Sequence, residues 1–196
     1  GTQFDRDSDG DYKRGREGGH SEHRILHYKD VTGFEIERAL VEEAKKYPNI
    51  QIFNHWFVLD IITQHHLGYL VTKATPDITC YGVYALNLKD HTVQKILARY
   101  TLMASGGVGQ AYRTTTNPRI ATGDGIAMVY RAKGRIESME FIQFHPTALY
   151  EPGASPSFLV TEAVRGDGGI LRNKAGEAFM KSYDPRADLA PRDVVA

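Results

Sequence analysis

The chain has 196 residues, enough for one sizeable domain or two small ones with a buried core. Lysine plus arginine and aspartate plus glutamate number 24 each, and this zero net charge argues against a nucleic-acid or anionic-membrane partner. The single cysteine, Cys80, excludes an intramolecular disulfide and a cysteine-rich metal site, and we expect it to be buried as a small apolar side chain.

No apolar stretch approaches the roughly 20 residues that a membrane-spanning helix needs. The most hydrophobic segment, 50–62, is interrupted by polar side chains. The chain opens at Gly1 in polar sequence without a signal peptide, and it stops at Ala196 in what reads as the start of a helix. We therefore expect a cytoplasmic protein that does not bind membranes, and we interpret the chain as an internal segment of a longer one.

The first predicted element is a polar, glycine-rich stretch, 1–31, which indicates a mobile loop or a meander of short strands. A helix is predicted from Thr32, its expected cap, to a stop at Pro48. Its apolar residues recur at helical spacing and form a stripe opposite a charged face. They are Ile36, Leu40, Val41 and Ala44.

Residues 50–105 change to a strand pattern. Apolar runs predict four strands, with a hairpin turn at 89–91 between the last two. The expected strands are 50–53, 56–62, 81–88 and 95–103. We expect Asp60 to lie at a strand edge rather than to take part in chemistry.

A glycine-rich turn leads to a second helix, predicted to start near Gly123 and to end at Gly134. Its expected buried face consists of Ile126, Ala127, Val129 and Tyr130. Beyond it, the sequence reads as strand and extended loop, a short helix after 158, and a last helix whose first turn suits Pro191. This order of elements predicts an α/β class with α+β character.

Two glycine-containing segments could contact a cofactor. Gly106 and Gly107 follow a predicted strand, and backbone without a Cβ allows close approach, although a plain tight turn is equally consistent. The segment is not a dinucleotide fingerprint, because Tyr112 occupies the position of the required last glycine. Thr122 and Asp124 open the second helix, where free N–H groups suit a phosphate or a flavin carbonyl, unless these side chains simply cap it.

His145 and Arg192 are candidates for binding an anion. Pro146 restricts His145 to extended backbone beside the Thr147 hydroxyl, which suits a carboxylate, although a histidine satisfied in the core is an open alternative. Arg192 stands at a predicted helix start, where the helix dipole disfavours a cation. An anionic ligand would explain that arginine.

Two further polar segments leave their roles open. Segment 161–169 could cap a helix and hold an internal ion pair, or it could present Thr161 and Glu162 to a ligand. The composition of segment 16–21 indicates a solvated loop, and the more specific alternative is that this loop forms a lid over the substrate.

Six ordered segments resemble the flavoprotein family of succinate dehydrogenase, fumarate reductase and L-aspartate oxidase. They match in order and spacing and are distributed between residues 104 and 196. They are 104–107, 116–118, 122–128, 140–150, 161–169 and 189–196. Within the family, segment 16–21 with 24–27 resembles the aspartate oxidase branch. Glu17 stands where dicarboxylate-only members carry an apolar residue, and its carboxylate could pair with a substrate ammonium group.

The resemblance implies part of an FAD-binding domain at 1–138, with 1–31 as a mobile substrate loop, and part of a capping domain at 139–196. It implies FAD as the cofactor and no metal. The implied cofactor contacts are Ser105, Gly106, Gly107, Thr116, Asn117, Gly123 and Asp124. The substrate contacts implied are Thr147, Thr161, Glu162 and His20, and the catalytic residues implied are Arg192, His145 and Glu17.

The implied substrate is a small dicarboxylate, L-aspartate or fumarate, with Arg192 as electrostatic stabiliser beside the reacting carbon. Hydride transfer from aspartate to the flavin would give iminoaspartate for quinolinate and NAD synthesis, with oxygen or fumarate as acceptor and a functional link to quinolinate synthase. Two alternatives stay open: a fumarate reductase or succinate dehydrogenase flavoprotein subunit, which Glu17 disfavours, and a non-catalytic folded fragment. We expect the chain alone to be inactive, because it lacks the family's Gly-x-Gly-x-x-Gly unit.

Overall fold

The computed structural model describes all residues from Gly1 to Ala196 and has the mixed α/β composition that the sequence predicts. The strands are β1 (Arg14–Gly15), β2 (Ile25–Leu26), β3 (Trp56–Ile62), β4 (Gly82–Asn87) and β5 (Val93–Leu97). The helices are α1 (Thr32–Ala44), α2 (Asp124–Arg131), α3 (Ala163–Gly166) and α4 (Arg192–Val195). None of the helices has the length and apolar character needed to cross a membrane.

The chain folds as two compact units, each assembled from separate stretches of sequence. Unit 1 contains Gly1–Gln51, Gln143–Tyr150 and Phe158–Ala196. Unit 2 contains Ile52–Ile142 and Glu151–Ser157. The assignment of 1–138 to a cofactor domain and 139–196 to a capping domain stays a prediction.

Unit 2 is built on an antiparallel sheet in the order β3–β4–β5. The predicted strand at 56–62 and the hairpin turn at 89–91 are confirmed. The turn is closed by Asp90, whose carboxylate accepts hydrogen bonds from the Thr92 hydroxyl (2.7 Å) and backbone N–H (2.9 Å), and these bonds lower the pKa of Asp90. The last strand runs from Val93 to Leu97, earlier and shorter than predicted.

Residues 50–53, Asp60 and Cys80 differ in how they match the expectations from the sequence. The strand predicted at 50–53 is wrong, because this apolar run pairs with no neighbouring strand. Asp60 does lie in the edge strand β3, where its carboxylate accepts a hydrogen bond from Arg131 (3.3 Å). Cys80 is half-buried rather than buried, with its sulfur 3.3 Å from the Thr101 hydroxyl.

Helix α2 begins and ends as predicted, but its buried face is different. Gly123 stands at its N-cap with a positive φ of 78°, and the Gly134 N–H donates to the Val129 carbonyl (3.0 Å). The prediction that Ala127 and Tyr130 are buried is wrong, since both are exposed. The helix instead buries Gly125 and Met128, and it half-buries Ile126 and Val129.

Helix α1 forms where the sequence predicts it, but the expected cap, Thr32, is wrong, and the apolar stripe is mostly exposed. The Thr32 hydroxyl accepts a hydrogen bond from the Tyr28 N–H (3.0 Å) and caps no amide of the helix. Leu40 is 65% exposed, and Ile36 and Val41 are exposed as well. The helix instead buries the carboxylate of Glu35. Helical spacing identified the element, but burial depends on what covers it.

The first 31 residues contain the short strands that were one of the two expectations. β1 and β2 pair as an antiparallel hairpin, and segment 16–24 forms the connection between them. Asp5 secures the hairpin, because its carboxylate accepts from the Lys29 N–H (2.7 Å) and lies 3.1 Å from His27 Nδ1. The loop that carries Glu17 therefore emerges from a hydrogen-bonded base.

We expect the Glu35 carboxylate to stabilise the folded state above about pH 4.5 and to lose this effect as the pH falls toward 2. The hydrogen bond from Arg38, followed by the bond from the Gln3 N–H, lowers the pKa of Glu35 from 4.5 to about 2. A lowered folded-state pKa favours folding wherever the unfolded carboxylate is ionised. Melting temperatures of Glu35→Gln and the unmodified protein should therefore differ at pH 6 and converge near pH 2.

The matched control is Glu37→Gln, an exposed carboxylate on the same helix. Its melting temperature should follow that of the unmodified protein across the same pH range. Asp184, whose pKa Arg186 also lowers to about 2, is present in every protein compared and does not affect the difference. A constant gap between Glu35→Gln and the unmodified protein from pH 6 to 2 would contradict the linkage.

Candidate functional site

A buried carboxylate, that of Glu162, stands at the centre of the polar cluster in unit 1. It is 4% exposed, and Arg165 beside it is 3% exposed. Arg165 Nη2 donates to one oxygen, Glu162 Oε1 (2.6 Å), and Arg192 Nη2 donates to the other, Oε2. Both oxygens of the carboxylate are therefore occupied by arginines. Pairing of this kind is what allows an ionised group to be buried.

Arg165 is held firmly from several directions. In addition to Glu162, its Nη1 donates to the Asp188 carbonyl (2.7 Å) and to the Ala190 carbonyl (3.0 Å). Its Nε is buried without a hydrogen-bond partner. Glu162 and Arg165 can meet because they are three residues apart at the start of α3, which places them on the same helical face.

Arg192 is the exposed end of this cluster. Its Nη2 is held by Glu162 and its Nη1 donates to Gln143 Oε1 (2.9 Å), while 35% of its side chain stays accessible to solvent. The sequence suggested an anionic ligand as the reason for an arginine at a helix start, and the structure shows that an internal carboxylate, Glu162, already contacts this arginine. Because two partners fix the guanidinium, Arg192 presents a positive charge in a defined position.

His145 and Thr147 are engaged with their own segment. The Thr147 N–H donates to His145 Nδ1 (3.2 Å), and the Thr147 hydroxyl donates to the Val160 carbonyl (2.9 Å). Since Nδ1 accepts a hydrogen bond, the neutral imidazole carries its proton on Nε2. His145 is half-buried, so this Nε2–H is the group that it can offer to a ligand.

Glu17 and Thr161 line one cavity of about 690 Å³ in unit 1. Glu17 is half-buried and its carboxylate has no hydrogen-bond partner, whereas Arg14 and Arg16 line the same cavity. His145, Glu162, Arg192 and His20 are not among its lining residues. The predicted substrate residues thus fall into neighbouring groups of unit 1, and only some share a cavity.

His20 lies in the loop between β1 and β2, and its Nδ1 is buried without a hydrogen-bond partner. The same loop is fixed on both sides of Glu17. Arg16 Nη2 donates to the Gly166 carbonyl (3.3 Å), and the Gly19 N–H donates to the Leu189 carbonyl (2.8 Å). The loop therefore rests on the segments that also carry Arg165 and Arg192.

The predicted cofactor residues of unit 2 are packed through glycines. The Gly123 N–H donates to the Gly107 carbonyl (3.1 Å), and a Cβ added to Gly125 would collide with the Ser105 hydroxyl. On the other side, a Cβ added to Gly106 or Gly107 would meet nothing within 4 Å. The turn therefore packs closely against α2 and leaves open backbone that a ligand could approach.

The remaining predicted cofactor residues surround the same turn. The Asn117 side chain contacts Gly109 so closely that a Cβ there would collide with it, and Thr116 is its half-buried neighbour. The Thr122 hydroxyl donates to the Asp124 carboxylate (2.9 Å), and neither side chain caps α2. The first N–H groups of this helix are therefore free to bind an anionic or carbonyl oxygen.

A family profile described as an FAD binding domain matches residues 1–196. The chain belongs to this FAD-binding domain family. The family match confirms the expectation that FAD is the cofactor. The open glycine backbone of the turn and the uncapped N-terminus of α2 fit a bound dinucleotide. How each residue contacts FAD stays a prediction.

Relatives of this FAD-binding chain include L-aspartate oxidases from plants and bacteria. It is 52% identical to the chloroplastic L-aspartate oxidase 2-a of Nicotiana tabacum, over 100% of the chain and 30% of that protein. It is 49% identical to the L-aspartate oxidase of Acinetobacter baylyi, over 100% of the chain and 35% of that protein.

The fold of this FAD-binding chain is similar to that of an E. coli quinol fumarate reductase, with a TM-score of 0.81 and 33% identity. The match covers 99% of this chain and 32% of that one. The chain therefore spans about a third of the length of the relatives it matches. The resemblance to the flavoprotein family is confirmed.

Three residues of the unit 1 cluster were not singled out from the sequence: Arg165, Gln143 and Arg16. The spacing of Glu162 and Arg165 was a usable signal, because segment 161–169 already suggested an internal ion pair. No local pattern marks Gln143, which is 49 residues from its partner.

We expect Gly125→Ala to destabilise the protein by about 1–3 kcal/mol and to reduce the FAD retained after purification, because the new Cβ would collide with the Ser105 hydroxyl. Adding Ser105→Ala removes that oxygen and should restore part of the stability. Melting temperature and flavin absorbance per protein measure both effects. The matched control is Gly33→Ala, where a Cβ meets nothing within 4 Å. An equally damaged double variant would contradict the collision.

Proposed function

We propose that the protein carrying this chain is an FAD-dependent oxidase that converts L-aspartate to iminoaspartate, with oxygen or fumarate accepting the electrons. The names of its plant and bacterial relatives support this reaction. The observation that carries the proposal is the unpaired carboxylate of Glu17 in a cavity that Arg14 and Arg16 also line. An amino dicarboxylate needs both kinds of partner, cations for its carboxylates and an anion for its ammonium group.

Arg192 is the residue that we place beside the reacting carbon. A guanidinium is protonated at neutral pH, so its first role is to stabilise negative charge on the substrate. Glu162 and Gln143 hold it in place, which removes the cost of ordering a long side chain when substrate binds. The Glu162 carboxylate cannot itself attract a substrate carboxylate, and we assign it the role of orienting Arg192.

Thr161 and His145 are the proposed neutral donors to the substrate carboxylates. The Thr161 hydroxyl accepts from the Ala163 N–H (3.3 Å), so its proton is free to be donated outward. His145 offers its Nε2–H. The roles of Thr147 and His20 are less direct, since the Thr147 hydroxyl already donates to a carbonyl and His20 lies outside the cavity lining.

In unit 2 the proposed FAD contacts are Ser105, Gly106, Gly107, Thr116 and Asn117 together with the start of α2 at Gly123 and Asp124. The open backbone of the turn and the uncapped N–H groups of the helix support this assignment. Bound FAD supplies the hydride acceptor of the reaction.

A fumarate reductase or succinate dehydrogenase flavoprotein subunit is the second candidate, and the TM-score of 0.81 with a fumarate reductase favours it. The charged Glu17 in the cavity disfavours it, because succinate and fumarate are dianions without an ammonium group.

For the chain in isolation, a non-catalytic fragment remains the expectation, and a colourless purified fragment would support it. The cytoplasmic location and the link to quinolinate synthase stay predictions, and the relatives from Nicotiana tabacum and Arabidopsis thaliana are named chloroplastic.

Anaerobic mixing of the full-length protein with L-aspartate or with succinate tests the proposed reaction. We expect aspartate, and not succinate, to bleach the flavin absorbance. Bleaching by succinate alone would assign the protein to the dehydrogenase branch and would reduce Glu17 to an ordinary loop carboxylate.

We expect Glu17→Gln to lower kcat/KM for L-aspartate by roughly 10- to 100-fold, the range of one lost charge-assisted hydrogen bond. Fumarate reduction by the same variant should change less than about 2-fold, since fumarate has no ammonium group for Glu17 to bind. The matched control is Glu22→Gln, an exposed carboxylate of the same loop. Equal losses with aspartate and fumarate would refute ammonium pairing.

A further inference from the structure

Gly18 lies against the flat face of the Arg165 guanidinium. An ideal Cβ built on Gly18 would be 2.8 Å from Arg165 Cζ, 2.8 Å from Nη2 and 2.9 Å from Nη1. Three nearly equal distances place the missing side chain out of the guanidinium plane and above its Nη1–Cζ–Nη2 end, since a position over the centre would be nearer to Cζ than to either nitrogen. Gly18 directly follows Glu17, the residue proposed to bind the substrate ammonium group.

The guanidinium beneath Gly18 has little freedom to move aside. Its Nη1 donates to two backbone carbonyls, those of Asp188 and Ala190, and its Nη2 donates to Glu162. Arg165 is also 3% exposed, so no solvent-filled space is available to receive it. A methyl group at position 18 would therefore displace the loop and leave the arginine in place.

The contact at Gly18 is one of three that seat this loop. A Cβ on Gly166 would collide with the Arg16 carbonyl oxygen, and the Arg16 guanidinium reaches the Gly166 carbonyl (3.3 Å). On the far side of Glu17, the Gly19 N–H donates to the Leu189 carbonyl (2.8 Å). The backbone on both sides of Glu17 is thus seated against the segments that surround Arg165.

We propose that Arg165 is a positioning residue for substrate selectivity, because its guanidinium face seats the Glu17–Gly18 peptide while its edge holds Glu162. One buried arginine then sets the location of two groups. Through Gly18 it places the carboxylate of Glu17, and through Glu162 it places the guanidinium of Arg192. This inference rests on the proposed function for its substrate, but the seating of the loop can be tested without it.

The first test is Gly18→Ala in the full-length holoenzyme, with Glu22→Gln, an exposed substitution in the same loop, as the control. Displacing the loop moves Glu17 away from the ammonium group and leaves Arg192 held by Glu162. We expect KM for L-aspartate to rise about 10-fold with a smaller change in kcat, and KM for fumarate to change less than about 2-fold. FAD content should match that of the control. Equal changes with both substrates, or none with aspartate, would overturn the proposal.

The second test is a double-mutant cycle with Arg165→Lys, which keeps the positive charge beside Glu162 and removes the flat guanidinium. If the alanine methyl acts through the guanidinium face, adding Gly18→Ala to Arg165→Lys should raise KM for aspartate by less than about 2-fold further. A full 10-fold increase in the lysine background would show that the contact is not the cause.

Hydrogen exchange provides a readout that requires no substrate. The Gly19 amide, which donates to the Leu189 carbonyl, should exchange faster in Gly18→Ala than in the unmodified protein and in Glu22→Gln. Unchanged exchange would overturn the seating of the loop. Failure of the unmodified protein to oxidise aspartate would instead refute the proposed function, so the two failures are distinguishable.

Discussion

The buried Glu162 carboxylate is the interaction on which the unit 1 site depends. A single ionised carboxylate removed from water would be strongly unfavourable, and here each of its oxygens accepts a hydrogen bond from a different arginine. The pairing is unequal in exposure, because Arg165 is buried and Arg192 is partly open to solvent. The result is a positive charge held at the surface by a negative charge beneath it. Such preorganisation is useful wherever negative charge develops on a bound substrate.

Glycine serves a common purpose in both units: it allows backbone to contact a fixed polar group. In unit 1, Gly18 rests on the guanidinium of Arg165, and in unit 2, Gly125 rests on the hydroxyl of Ser105. In both places a methyl group would meet an atom at less than 3.0 Å. The requirement is for space, since neither glycine has a positive φ. These glycine contacts position the loop of unit 1 and the turn of unit 2. From composition alone, the glycines would indicate only that these segments are flexible.

Local sequence patterns predicted where helices and strands form better than they predicted which segments these elements pack against. Strand β3 and helices α1 and α2 follow from periodicity and turn residues, which act within a few positions. The exposed Leu40 of α1 shows the limit, because an apolar stripe does not specify what covers it. The strand predicted at 50–53 failed for a related reason, since an apolar run forms a strand only when a neighbour offers its backbone.

Features of the candidate site that depend on neighbouring residues in the sequence could be predicted, whereas contacts between distant chain segments could not. An arginine at a helix start suggested an anionic ligand for Arg192, and the structure shows an internal carboxylate, Glu162, in contact with it. The identity of the partner, Glu162, and the contribution of Gln143 depend on chain segments 30 and 49 residues away. The resemblance to a known family supplied residue roles that spacing alone could not, and those roles are what experiments must now test.

The most direct test of the central ion-pair cluster is Glu162→Gln in the full-length holoenzyme, compared with Asp9→Asn, which changes an exposed acidic residue of the same unit. Melting temperature and the rate of anaerobic flavin bleaching by L-aspartate would be measured together. We expect a loss of about 3–5 kcal/mol in stability, because Arg165 would stay buried without a counter-charge. Bleaching should slow at least 100-fold, since Arg192 loses its anchor. A glutamine variant as stable and as fast as the asparagine control would contradict the role assigned to Glu162.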